Sequence, residues 1–209
     1  MARVKLCGFT READVDRAVD AGVDAVGAVV DVPVDTPREV DPDRARALFD
    51  RVPPFVTTVL VTMPESVEQA RTLLAQVDPD VLQVHDGLEP AAVAELAAEQ
   101  TVVAAVDHDA DQMAAYADAA DALLVDSTDD AGAGGTGRTH DWAATRELDR
   151  LDVPLVLAGG LTPENVREAV ETADPYAVDA ASGVEGAPGR KDSERVRDFV
   201  AAATGVPER

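Results

Sequence analysis

The sequence predicts a single (β/α)8 barrel, a ring of parallel strands enclosed by a ring of helices. Three observations predict it. Short apolar runs alternate with helical stretches eight times along the 209 residues. Most of the runs are apolar throughout, as strands covered on both faces must be. No linker, low-complexity tract or composition break divides the chain, so residues 1–209 are read as one domain. The other arrangement open to the same units is a doubly wound open sheet.

The elements follow in order. A strand at 3–7 leads to a helix at 11–21, with Thr10 read as its N-cap and Gly22 as its C-cap. A strand at 24–30 precedes a helix at 42–51, and one at 55–61 precedes a helix at 65–76. Strands at 81–85 and 101–106 precede helices at 90–99 and 111–119. Strands at 122–126 and 154–158 precede helices at 142–149 and 163–171. The last pair is a strand at 176–181 and a helix at 193–203. Pro42, Pro90 and Pro163 stand at helix starts, where a missing N–H costs nothing.

Charge narrows the partners. The formal net charge is -23, from 41 acidic and 18 basic residues. Such a surface repels nucleic acid and anionic membranes, so neither is expected as a partner. Only Lys5 and Lys191 are lysines; every other basic residue is arginine. With aromatics at 3%, the core must be built from Val, Leu and Ala. This composition resembles that of proteins from salt-loving archaea, where salt screens the self-repulsion. Cys7 is the lone cysteine, which agrees with a reducing cytosol and forbids an internal disulfide. The start, MARVKLCGF, has no long apolar region of signal-peptide type, and no apolar run reaches transmembrane length. A cytoplasmic location is therefore expected.

In a barrel of this kind chemistry gathers where strands end and βα loops begin. Strand alternation puts Lys5 and Cys7 on one face and Leu6 on the other. If that face is the interior, Lys5 lies in the barrel and needs a carboxylate partner, and Cys7 lies at its mouth. A thiol there serves either as a small core group or, once ionised, as a general base. Arg38, after the second strand, is a candidate carboxylate fork or a solvated surface group. His85 ends the fourth strand and is structural by default; His108 and His140 show no metal-ligand spacing with it. Asp126 ends the sixth strand, where an apolar setting raises a carboxyl pKa and makes it an acid; the bland alternative is a loop-starting Asp.

Glycines mark the remaining loops. Gly132, Gly134 and Gly137 satisfy G-x-G-x-x-G, but the position where a ribose-binding acid is wanted is Leu157. The loop is better read as backbone N–H groups open to an anion. Gly159 and Gly160 follow the seventh strand; Ser182 and Gly183 follow the eighth. Those two loops are the usual phosphate-binding place of this fold, against the alternative of two ordinary tight turns.

Taken in order, these segments resemble the phosphoribosylanthranilate isomerase family. The matching pieces are Lys5-Leu6-Cys7-Gly8, Thr36-Pro37-Arg38, Gln83-Val84-His85-Asp86, Leu124-Val125-Asp126, Gly134-Gly135-Thr136-Gly137 and Asp141-Trp142. They end with Ala158 through Val166 and Asp179 through Asp192. Thr36 stands where the family has Ser, Asp86 where it has Gly, and the loop before Arg38 is looser than the family pattern. The resemblance implies an Amadori rearrangement of N-(5-phosphoribosyl)anthranilate in tryptophan biosynthesis, with Cys7 as general base and Asp126 as general acid. It implies Arg38 on the anthranilate carboxylate. His85, Asp179, Gly134, Gly135, Gly159, Gly160, Ser182 and Gly183 complete the implied substrate-binding set. No metal or organic cofactor is implied. The expected partner is a small phosphosugar, and the expected state is a monomer or homodimer.

Three other readings compete. Indole-glycerol-phosphate synthase relies on strand-end lysines, which this chain nearly lacks. A histidine-pathway isomerase has an Asp where Cys7 stands. A non-catalytic phosphate-binding barrel keeps the glycine loops but has no use for Cys7 together with Asp126.

Overall fold

The computed structural model describes residues 1–85, 87–107, 112–126 and 142–205. Eight parallel strands close into a barrel in sequence order: β1 (Arg3–Leu6), β2 (Ala25–Val29), β3 (Thr57–Thr62), β4 (Val81–His85), β5 (Thr101–Asp107), β6 (Ala122–Asp126), β7 (Leu155–Ala158) and β8 (Ala177–Ala180). The ring is closed where β1 pairs with β8, in the register Lys5 to Asp179. The open-sheet alternative is thereby excluded.

The outer layer comprises α1 (Glu12–Ala21), α2 (Pro42–Phe49), α3 (Val67–Val77), α4 (Pro90–Ala97), α5 (Met113–Ala119), α6 (Trp142–Arg146), α7 (Val166–Ala173) and α8 (Ser193–Thr204). After β8 the chain makes a 3₁₀ turn (Ser182–Val184) and a small hairpin, β9 (Glu185–Ala187) and β10 (Arg190–Lys191), which the strand pattern did not anticipate. These two strands are too short to carry a period.

Alternation along the strands separates two cores. Val4, Leu6, Val26, Leu60, Leu82 and Val178 point outward and pack with the helices in one large cluster. Cys7, Val59 and Val61 share a cluster inside the barrel, and Leu124, Val156 and Ala158 form another. Burying each Leu or Val of the outer layer stabilises the fold by about 1.5–3 kcal/mol before entropy is counted.

Two expectations at helix starts need correction. The N-cap of α1 is Arg11, without a side-chain cap, while Thr10 donates its hydroxyl to the Gly189 carbonyl at 2.8 Å. Tertiary contact with the hairpin thus outcompetes local capping. The seventh helix begins at Val166, not at Pro163, because Thr162–Asn165 first makes a turn in which Asn165 Oδ1 accepts the Thr162 N–H at 2.8 Å. Gly22, as expected, ends α1 in the left-handed region at φ 90°.

A repeated aspartate lock holds the barrel floor. Asp24, Asp80 and Asp121 each stand just before an even-numbered strand. Each accepts a backbone N–H of the preceding strand, from Val4, Thr58 and Val102, at 2.8 Å in every case. A charge-assisted bond of this kind supplies a partner to a strand-start donor that the sheet leaves over.

Candidate active site

The carboxyl ends of the strands surround a cavity of about 300 Å³. Its wall includes Cys7 from β1, His85 from β4, Asp126 from β6 and Asp179 from β8. Gly159 and Gly160 line it from the loop after β7, Ser182 and Gly183 from the loop after β8. Cys7 and Asp126, five strands apart in sequence order, therefore face one space. Gly134 and Gly135 lie outside the described residues, as do Asp86, His108, His140 and Asp141.

The first strand delivers its two polar groups to the interior, as alternation requires. Lys5 Nζ donates to Asp179 Oδ2 at 2.6 Å, with both side chains about nine-tenths buried. Burial pulls the Lys5 ammonium down, but Asp179 and Cys7 outweigh that and hold it above the ordinary lysine range. Burial pushes the Cys7 thiol up, opposed by Lys5 and Lys191 and reinforced by Asp179. The thiol is thus the favoured form, and its ionisation depends on the nearby cations.

The fourth strand supplies a pair that sequence reasoning missed in part. Gln83 Nε2 lies 2.8 Å from His85 Nε2, so the amide fixes the ring. Gln83 is almost fully buried and lines the cavity. Its Oε1, and Asp179 Oδ1, are buried with no hydrogen bond among the described residues. Both side chains line the cavity, and such oxygens are strong acceptors awaiting a donor.

The two glycine loops are built against each other. A Cβ on Gly183 would sit 1.8 Å from the Leu161 carbonyl oxygen, so only glycine permits this backbone contact. Gly159 and Gly160 run at φ 88° and 60°. Asn165 Nδ2 donates to the Gly160 carbonyl at 3.0 Å, and Arg195 donates from Nε and Nη2 to the Gly183 carbonyl at 3.0 and 2.9 Å. With these carbonyls held from behind, the arrangement suits N–H groups presented to an anion.

Arg38 is placed differently from its sequence expectation. Its Nε and Nη2 donate to the two oxygens of Glu185, both at 2.8 Å, and it is not part of the cavity wall, although its neighbour Thr36 is. Glu185 also accepts from Lys191 at 3.0 Å. Burial raises the Glu185 carboxyl, but Arg38 and Lys191 overcome this and hold it below its usual range. The remaining wall is apolar: Val29, Val32, Val34, Val61 and Met63 form a flank on the β2 and β3 side. A site with these parts can hold an anion at one end, an apolar ring at another, and a thiol and a carboxyl between them.

Comparison with known proteins agrees. The family profile described as N-(5'phosphoribosyl)anthranilate (PRA) isomerase matches residues 4–202. The N-(5'-phosphoribosyl)anthranilate isomerase of Haloarcula marismortui is 57% identical over 211 residues, covering 100% of this chain and 99% of the relative. The crystal structure of phosphoribosyl anthranilate isomerase from Thermotoga maritima superposes with a TM-score of 0.90 at 34% identity, covering 99% and 100% of the two chains. A structure of the isomerase in complex with reduced 1-(o-carboxyphenylamino)-1-deoxyribulose 5-phosphate gives 0.86 at 33% identity, covering 99% and 100%. The salt-adapted composition accords with the haloarchaeal relative. Among the described residues, no helix is long and apolar enough to cross a membrane.

Proposed function

The chain belongs to the N-(5'-phosphoribosyl)anthranilate isomerase family of tryptophan biosynthesis, and on that premise we propose that Cys7 is its general base and Asp126 its general acid. The observation that carries the assignment is the shared cavity. A thiol from the first strand and a carboxyl from the sixth line one space with the glycine loops after β7 and β8.

The chemistry follows from those positions. Asp126, protonated, gives its proton to the ribose ring oxygen. The C1–O bond breaks, the nitrogen lone pair closes a C1=N bond, and a Schiff base results. Cys7, as thiolate, takes the proton from C2; the electrons form C1=C2 and return to nitrogen. The resulting enolamine becomes the ketone, 1-(2-carboxyphenylamino)-1-deoxyribulose 5-phosphate. Acid and base act on opposite parts of one furanose, and each contributes about 10²–10⁴ in rate.

The cavity supports the binding roles of the residues that line it; those of Gly134, Gly135 and Arg38 rest on the family resemblance. The phosphate is held by Gly159, Gly160, Ser182 and Gly183, joined by Gly134 and Gly135 from the loop after β6. Asp179 and His85 accept from and orient the sugar hydroxyls; the unpartnered Asp179 Oδ1 supports this. The valine and methionine flank takes the aromatic ring. Arg38 binds the anthranilate carboxylate through the Nη1 that Glu185 does not use. No metal or organic cofactor enters the reaction.

The test uses the purified protein and freshly made phosphoribosylanthranilate, with loss of anthranilate fluorescence as the signal. Cys7→Ala and Asp126→Asn should each lose at least a hundredfold in turnover. Cys7→Ala should still bind the reduced product analogue. Turnover within tenfold of wild type in either variant would remove that residue from its role.

A further inference from the structure

The chain has only two lysines, and folding buries both to 7% exposure. Lys5 is paired with Asp179 inside the barrel. Lys191, on β10, has no part in the reaction as described above. Burial pulls the Lys191 ammonium below the ordinary lysine range, and Glu185 opposes that shift and matches the charge.

The contacts of Lys191 fix its position closely. Its Nζ donates to the Ala181 carbonyl at 3.0 Å and to Glu185 Oε1 at 3.0 Å. It stands 5.5 Å from the centre of the Phe9 ring, two residues beyond Cys7. Ala181 packs in the same interior cluster as Cys7. The residue before it, Ala180, accepts the Cys7 N–H at 2.9 Å. The ammonium thus reaches the peptide next to the one that holds Cys7.

Among the described residues, Lys5 on β1, Asp179 on β8 and Lys191 on β10 act on the thiol electrostatically, and Asp126 on β6 and His85 on β4 share its cavity wall. Among the described residues, Asp179 is paired with Lys5. Glu185 is shared by two cations, Lys191 and Arg38, while the buried Asp14 carboxylate accepts the Lys191 backbone N–H at 3.2 Å.

We propose that Lys191 is a positioning residue for the isomerisation, its ammonium stabilising the Cys7 thiolate from the hairpin after β8. This rests on the reading of Cys7 as the base. It names the two local cations on which ionisation of the buried thiol draws: Lys5 on the thiol's own strand and Lys191 on the hairpin after β8. Burial and Asp179 oppose ionisation, and Lys5 and Lys191 favour it.

Cys7 is the sole cysteine, so alkylation of the folded protein reports that thiolate alone. The experiment follows iodoacetamide alkylation by intact mass against pH, in molar KCl, for wild type, Lys191→Met, Lys191→Arg and Glu185→Gln. The midpoint should rise by about one pH unit in Lys191→Met, a tenfold loss of thiolate at fixed pH. Lys191→Arg should restore most of it. Glu185→Gln should lower the midpoint, because a carboxylate opposing both cations is gone. The acid limb of kcat/KM should move with the same signs.

A Lys191 that merely supports the hairpin would lower the unfolding temperature and leave the midpoint in place. An unmoved midpoint in folded Lys191→Met overturns the proposal. Should that variant not fold, an unmoved or raised midpoint in Glu185→Gln overturns it. The alkylation midpoint does not depend on Cys7 being the base; that reading fails separately, if Cys7→Ala turns over.

Discussion

Asp179 receives the Lys5 ammonium at 2.6 Å at the register pair where β1 meets β8, the seam that closes the barrel. One ion pair therefore serves two links at once. It joins the first strand to the last, and it fixes the charges beside Cys7. Asp179→Asn should leave a buried ammonium unmatched and cost about 3–5 kcal/mol of unfolding free energy. Changing both residues, Lys5→Met with Asp179→Leu, should recover a large part of that loss while turnover stays low. Denaturant unfolding in molar salt reads the first quantity, and the fluorescence assay the second. Equal stability of Asp179→Asn and wild type would mean the pair is not desolvated as its burial implies.

The same pair has a pH signature. Lys5 is held above the ordinary lysine value of 10.5, so its contribution is complete below that value and fades as pH rises through the higher folded one. Cys7 is raised above 9.0, so beyond that pH the unfolded thiol ionises while the folded one resists, and stability falls. The melting temperature should decline in alkali from about pH 9, and Cys7→Ala should delay the onset of that decline. An identical alkaline profile in wild type and Cys7→Ala would refute the assignment of the first step.

Packing around the thiol is equally tight. A Cβ on Gly27 would come within 3.0 Å of Cys7 Sγ and 3.3 Å of its Cα. Gly27→Ala should therefore push the thiol out of register with C2 of the sugar. Overpacking of this kind costs about 1–3 kcal/mol, and the larger effect should be on kcat. Steady-state kinetics beside thermal unfolding separates the two; a variant with unchanged kcat would show that the thiol tolerates displacement.

Much of this was legible in the chain. Alternation placed Lys5 and Cys7 on one face because parallel strands must hide Leu6 and Val4 on the other. Strand ends named Asp126 and His85, and glycine pairs named the loops after β7 and β8. What was not legible depends on distant partners. Arg38 and Glu185 are 147 residues apart, and no local signal in either predicts their fork. Thr10 abandons its cap for Gly189 for the same reason, and Lys191 gives no sign in sequence of being buried. Asp24, Asp80 and Asp121 look like part of a solvated acidic surface, whereas each holds a strand-start N–H.

Those floor aspartates make a further prediction. Replacing Asp121 by Ala leaves the Val102 N–H at the buried start of β5 without its acceptor. The expected loss is about 1–3 kcal/mol, with KM and kcat nearly unchanged, since the floor lies at the opposite end of the barrel from the cavity. Denaturant unfolding against the fluorescence assay decides; a stability-neutral Asp121→Ala would make the lock incidental.

Salt links the acidic surface to the site. At a net charge of -23 the folded chain repels itself and also repels, at long range, a substrate that carries both a phosphate and a carboxylate. Both effects act through exposed charge and are screened within about 3 Å at 1 M salt. The buried cations Lys5 and Lys191 are screened far less, so the local attraction survives where the long-range repulsion does not. Raising KCl from dilute buffer to molar concentration should therefore increase the melting temperature and lower KM, while the alkylation midpoint of Cys7 moves little. Loss of fold and turnover in molar salt, with both retained in dilute buffer, would contradict the salt-adapted reading. A midpoint that tracks salt as steeply as KM would contradict the burial of the cations that set it.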